Sequence, residues 1–303
     1  MNEKSSWFGT GIVTVLLACA LATGNASGAA ATGFAAVRAE WNRPAKPFRV
    51  IGNIYYVGTD ELGAWLIRTN RGLILLDAAL EESAPQIERN IQRMGFRVAD
   101  VRILLNSHAH FDHSGGLARL KRDSGADLVS SEGDRVSLET GTYLGKESVT
   151  ALDSPPVHVD RIVNDGETIT LGDVTMTAHI TPGHTRGCTT WTMAVVERGV
   201  PHTVIFYCST TVALNRLVPE PQYPGIVDDY RRSFGQLAQL SADVFLANHK
   251  DFFQLWEKRA RMKRGTANPF VDAGELQRFV AQSREEFERD LSTQAASAGR
   301  ADP

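Results

Sequence analysis

The sequence predicts an α/β protein in which two β-sheets form a sandwich with helices outside. Three observations carry this. Short apolar or alternating runs, cut by Gly, Asn and Asp, fill two separate β-rich stretches, one from Phe48 and one from "ETITLGDVTMTAHITPGHT" onward. Segments with helical spacing follow each stretch rather than alternating with every strand. No glycine-rich phosphate loop of the GxGxxG or GxxxxGK type is present, so a doubly wound nucleotide-binding sheet fits less well.

The elements follow in order. The chain opens with Lys4, an apolar run from Ile12 to Ala22 and then small residues, the layout of a secretory signal peptide over residues 1–28. The run is short for a transmembrane helix, which leaves a membrane anchor as the lesser alternative. Cys19 after "LLA" weakly resembles a lipoprotein cleavage box, but Leu17 fits poorly before Ala18, so soluble export to the periplasm or medium is the expectation. Residues 29–47 read as an arm, and residues 48–292 as the folded domain. "FRVIGNIYYVG", "AWLIRT" and "GLILLD" are strands; "APQIERNIQRMGF" is a helix, with Ile87, Ile91 and Met94 on one face and Gly95 as its stop. "VRILLNS" is a buried strand, "GGLARLKRDSG" a helix and "DLVSS" a strand. Residues 132–160 are polar and interrupted by Pro155 and Pro156, and read as a long surface loop with room for a short helix. Strands resume through "CTTWTMAVV" and "HTVIFYCSTTV". "DDYRRSFGQLAQL" is a helix with Tyr230, Phe234, Leu237 and Leu240 on one face, and "DVFLANH" is a strand ending at a histidine. A last helix begins with Asp272 and Glu275 in the spacing of a capping box, and residues 293–303 read as a disordered tail.

Composition narrows the function classes. A formal charge of −3 gives no electrostatic argument for nucleic acid or for an anionic membrane surface. No nucleic-acid partner and no stable membrane association are expected, and the chain is expected to be a monomer. Loss of Cys19 with the leader leaves Cys188 and Cys208, which in an oxidising compartment can pair or remain as two buried thiols.

The chemistry concentrates in "NSHAHFDHSGG". The chain has 8 histidines, and His108, His110 and His113 crowd together with Asp112 on the loop between a strand and a helix. Such loops at the carboxyl ends of strands are where α/β sites are built. In extended chain His108 and His110 point to one side, while Asp112 and His113 follow once the chain turns. Imidazole and carboxylate are zinc ligands, and a catalytic zinc needs about three from the protein. Four side chains split over two ions leave each short, so further ligands are required. His184 in "TPGHT" and His249 in "LANHK" both sit at strand ends and can supply them. His158, His179 and His202 sit in a polar loop, within a strand and beside Pro201, and read as surface or structural histidines.

"HAHFDH" resembles the HxHxDH signature of the metallo-β-lactamase superfamily, whose fold is an αβ/βα sandwich of two β-sheets flanked by helices. The resemblance covers about residues 48–290. "HAHFDHSGGLARLK", "TPGHTRGCTTWTM", "CSTTVALNRLV" and "KRARMKRGTANPFVDAGELQRFV" look like class B β-lactamases of the third subclass. Glyoxalase II and the lactonases usually carry a bridging aspartate where this chain reads Cys208-Ser209, and the first two subclasses carry a zinc-binding cysteine where it has Ser209. The resemblance implies two Zn2+ per chain, one held by His108, His110 and His184, the other by Asp112, His113 and His249. It implies that Ser209 and Thr211 hold the substrate carboxylate, and that Cys188 and Cys208 form a disulfide found in some members. It further implies an exported zinc β-lactamase conferring antibiotic resistance, with a small-molecule β-lactam as its partner. Hydroxide shared by the two ions would attack the β-lactam carbonyl, and Asp112 would orient it. An exported hydrolase of the same fold acting on a lactone or thioester is the alternative. No SxxK motif supports a serine acyl-enzyme. Asp77, ending "GLILLD", reads either as a residue orienting the metal-binding loop or as a plain turn residue. Trp191 reads as core, and Tyr143 and Leu152 as loop residues that border the cleft or are merely solvated.

Overall fold

The computed structural model describes residues 27–264 and 267–299. The expected leader therefore lies outside the described residues except for Ser27 and Gly28, and Cys19 lies outside them too.

Among the described residues, twelve strands form two sheets. The first runs β1 (Phe48–Ile51), β2 (Ile54–Tyr56), β3 (Trp65–Thr69), β4 (Gly72–Leu76), β5 (Val101–Leu105), β6 (Asp127–Ser131) and β7 (Arg161–Val163), in that spatial order. Its pairs are antiparallel up to β4 and parallel from there on. The second sheet has the order β12 (Val244–Ala247), β11 (Val200–Tyr207), β10 (Thr189–Glu197), β9 (Val174–Ile180) and β8 (Thr168–Leu171). Only β11 and β12 pair in parallel there.

Side-chain alternation assigns the faces. In the β3–β4 pair, Trp65 lies opposite Leu76 and Ile67 opposite Ile74, and all four join the core shared with Trp191, Met193 and Val195 of β10. The intervening Leu66, Leu73 and Leu75 point the other way, into a second apolar cluster. That cluster takes Ile87 and Ile91 from α2 (Ala84–Arg93) and Leu117 and Leu120 from α4 (Leu117–Ser124). On the far side of the second sheet, α6 (Ile226–Leu237) buries Tyr230, Phe234 and Leu237, while α8 (Glu275–Ala298) buries Leu276, Phe279, Val280 and Phe287. The layers are helix, sheet, sheet, helix, which is the αβ/βα sandwich expected.

Four local expectations change. Residues 29–47 were expected as an arm, but α1 (Ser27–Trp41) is a helix, in keeping with its alanine-rich sequence. Phe34, Val37 and Trp41 pack it on the domain. The polar stretch 132–160 is not a solvated loop: it holds α5 (Glu132–Thr140) and a 3-10 turn (Thr150–Leu152), and Leu138, Tyr143, Leu152, Val157 and Val159 are buried. The capping box at Asp272 and Glu275 does not form. The Asp272 carboxylate instead accepts from the Gly274 amide, and Glu275 is drawn into a buried ion pair with Lys258. Finally, α8 continues to Ala298, past the expected start of the tail. Among the described residues, no helix is long and apolar enough to cross a membrane.

Candidate active site

The site forms where strands of both sheets end. β5 runs into Asn106–His110, followed at once by the single turn α3 (Phe111–Ser114) that carries Asp112 and His113. The turn between β9 and β10 carries His184, the end of β11 carries Cys208–Thr211, and the end of β12 carries Asn248 and His249. The sheets are tied together here: Thr189 N donates to Ser107 O at 2.7 Å, and Trp191 Nε1 to Asn106 O at 3.3 Å. Trp191 is fully buried, as a core residue should be.

Two triads result. The rings of His108, His110 and His184 surround one point, with centroids 4.6–4.7 Å apart. Asp112, His113 and His249 surround another, with Asp112 Oδ2 at 3.1 Å from His113 Nε2 and 3.3 Å from His249 Nε2. Within each triad the potential ligand atoms lie within 4.8 Å of one another. The triads adjoin, since the His108 and His113 rings are 4.4 Å apart. All six predicted metal ligands are thus brought together. A third grouping, His108 with Cys188 and Cys208, has no free thiolate, because the two cysteines form a disulfide.

The electrostatics suit cations. Burial, reinforced by the neighbouring imidazoles, holds His108 and His110 well below the usual histidine range, and burial brings His184 down to about 4. These rings are neutral at pH 7 and keep a lone pair free. Burial also lowers His249, but the carboxylates of Asp112, 3.3 Å from Nε2, and Glu61, 3.8 Å from Nδ1, outweigh it and raise the group to about 9, so this ring gives up a proton when a cation binds. Asp112 is held well below the carboxylate range; burial opposes this, and the charges and hydrogen bonds of His113 and His249 prevail.

The polar pairing points the same way. His184 Nδ1 donates to Thr211 O at 2.7 Å, leaving its other nitrogen for a ligand. His108 Nδ1 pairs with Ser107 Oγ at 3.2 Å, and the buried Nε2 has no hydrogen-bond partner among the described residues, which leaves it available to a metal ion. A donor set of imidazoles and one carboxylate fits zinc in both triads.

Around the triads, the Asp77 carboxylate accepts from Ser107 N at 2.7 Å and Asn106 Nδ2 at 3.1 Å. It therefore orients the loop that carries His108 and His110 from a neighbouring strand rather than serving only its own turn. Ser209 is buried; its hydroxyl lies 3.1 Å from Thr211 Oγ1, which is 3.2 Å from His184 Nδ1. Tyr143 is neither solvated nor a free rim residue: it stacks on His110 at 4.3 Å and 9°, while Leu152 belongs to the helix-side core. His158 pairs with Glu139 on the surface, His179 bonds Thr192, and His202 faces Asp243, all away from the triads.

Sequence reasoning missed several residues. Trp41 presses an edge on His249 at 5.7 Å. Glu61 reaches towards His249 Nδ1 at 3.8 Å and pairs with Lys250 at 2.7 Å. Asn248 donates to Cys208 O at 2.8 Å. Asp134 is buried without any cation paired to it among the described residues, and burial raises it to about 6. None stands in a motif, so only the fold brings them to the site.

The profile of the Metallo-beta-lactamase superfamily matches residues 64–249, which includes all six predicted metal ligands. The chain belongs to that superfamily. Among solved structures, it is 47% identical to BJP-1, described as a subclass B3 metallo-beta-lactamase of Bradyrhizobium japonicum, covering 85% of this chain and 98% of that one at a TM-score of 0.83. It is 37% identical to the FEZ-1 metallo-beta-lactamase from Legionella gormanii, covering 84% and 98% at a TM-score of 0.81. A curated relative, the acyl-coenzyme A thioesterase MBLAC2 of chicken, is 31% identical over 44% of this chain and 53% of its own length. The chain thus spans about half the length of that thioesterase.

Proposed function

We propose that this superfamily hydrolase is a binuclear zinc β-lactamase of class B, cleaving the amide bond of β-lactam antibiotics and thereby conferring resistance. The reading is carried by one observation, the subclass B3 likeness along nearly the whole described chain with all six ligands in two adjoining triads. His108, His110 and His184 would hold one zinc, and Asp112, His113 and His249 the other. When bound, zinc there supplies Lewis-acid polarisation and brings the pKa of water to about 7, so that a nucleophile exists at neutral pH. Asp112 Oδ2, facing His113 and His249, would orient the attacking water. Ser209 and Thr211, beside His184, hold the substrate carboxylate through their hydroxyls. The Cys188–Cys208 disulfide supports an exported, periplasmic or secreted protein, with residues 1–28 as its cleaved signal peptide. We take it to act as a monomer on a small-molecule substrate, without nucleic acid or a stable hold on membrane.

A thioester or lactone substrate is the second reading, favoured by the thioesterase relative. Purified protein assayed side by side on nitrocefin, a carbapenem, a long-chain acyl-CoA and a simple lactone separates the two. Turnover of the β-lactams in preference to the others is expected, with Asp112→Ala lowering kcat by about 10²–10⁴-fold. Thioester or lactone turnover without β-lactam turnover would overturn the assignment.

A further inference from the structure

One carboxylate outside the ligand set touches both loops that build the first triad. Asp134, in the first turn of α5, is 2% exposed. Its Oδ2 accepts from Ala109 N at 2.9 Å and from Thr185 Oγ1 at 3.0 Å, and its Oδ1 accepts from Gly187 N at 3.0 Å. Ala109 lies between His108 and His110, and Thr185 follows His184. The three imidazoles of the first triad therefore hang on two loops that this single side chain joins. None of its partners belongs to the stretch Asp112–His113 or to the β12 end that carries His249.

The docking around it leaves little play. Ser131 Oγ donates to Gly187 O at 2.6 Å. Two glycines let the backbones meet: a Cβ on Gly133 would lie 2.6 Å from the Arg186 carbonyl, and one on Gly187 would lie 2.4 Å from Asp134 N. A buried anion with three donors and no cation partner among the described residues is costly to place for packing alone.

We propose that Asp134 is a positioning residue of the first metal site: it fixes the His108–His110 loop against the His184 loop and so sets that site's affinity, while leaving the second site alone. This rests on the reading of both triads as metal sites. Residues that orient ligands in this way are worth about 10–100-fold in metal affinity.

The test measures Co2+ binding, in competition with a chromophoric chelator, in two backgrounds of the purified chain. His249→Ala keeps the first triad intact, and His184→Ala keeps the second. Adding Asp134→Asn should weaken Co2+ binding about 10–100-fold in the first background and leave it unchanged in the second. Thr185→Val, which deletes one of the three bonds, should give a smaller loss with the same selectivity, and it carries the test should Asp134→Asn fail to fold. A purely structural role would lower the thermal midpoint of the metal-free protein without this selectivity. Equal losses in both backgrounds, or none in either, would overturn the proposal while the metal sites stand. Failure of the unsubstituted chain to bind Co2+ would overturn the metal reading and this proposal with it.

Discussion

Single side chains at this site act through burial, and Asp134 shows the consequence for stability. Burial raises it from the ordinary carboxylate value to about 6, so the fold favours its neutral form. The stability it contributes is fully present below the unfolded value near 3.9 and is lost as pH rises through about 6. A shift of that size corresponds to roughly 3 kcal/mol between the two limits. Asn at this position copies the neutral form at every pH. In chelator, the stability of the original chain relative to Asp134→Asn should therefore fall as pH rises from about 4 to about 7, by up to ~3 kcal/mol. Denaturant midpoints across that range measure it, and a pH-independent difference would contradict it. The comparison must be a difference, because His108, His110 and His184 are depressed. Those three contribute stability that is present above about 6.5 and lost as pH falls towards their folded values.

Elements were legible where their inward faces are apolar. Ile87 and Ile91 mark α2, and Gly95 at φ +86° ends that segment where its sequence suggested. The strand-end positions of His110, His184 and His249 also follow from sequence, since each ends or follows an apolar run. Helix α5 was legible only as room for a short helix within a polar stretch, for a physical reason: its buried residues are Asp134, Ser137 and Leu138, two of them polar, because that face meets a hydrogen-bonded loop rather than a core. The start of α8 was legible but its cap was not, because Glu275 serves a tertiary ion pair with Lys258 instead of a local cap. Docking of α5 on the His184 loop is tight enough to test by volume alone. Gly187→Ala puts a methyl carbon 2.3 Å from Ser131 Oγ and 2.4 Å from Asp134 N, and backbone cannot yield as a flexible side chain can. We expect destabilisation by about 1–3 kcal/mol in chemical denaturation, and an unchanged midpoint would mean that the loop moves freely.

At the scale of the molecule, two sheets and their outer helices bring together six candidate metal ligands that span 142 positions of sequence, from His108 to His249. The HxHxDH motif and the two strand-end histidines pointed directly to the residues that meet in the two triads. The residues that support them did not stand out, because their roles depend on which loops the sandwich brings together. The Cys188–Cys208 disulfide belongs to this scale: it links the start of β10 to the end of β11, with Cα atoms 5.9 Å apart and a sequence separation of 20. A closed loop of that length is worth about 3 kcal/mol. Replacing both cysteines by serine should lower the unfolding free energy by about that amount, and an unchanged value would place the constraint elsewhere.

The most direct test of the central claim is reconstitution: metal-free protein is given zinc in steps from zero to three equivalents, while bound zinc and nitrocefin hydrolysis are followed together. The account predicts saturation at two zinc ions per chain, hydrolysis that rises with occupancy, and loss of both on chelation. Saturation at two ions without hydrolysis of any β-lactam would contradict the substrate, and hydrolysis that survives complete removal of zinc would contradict the metal centre itself.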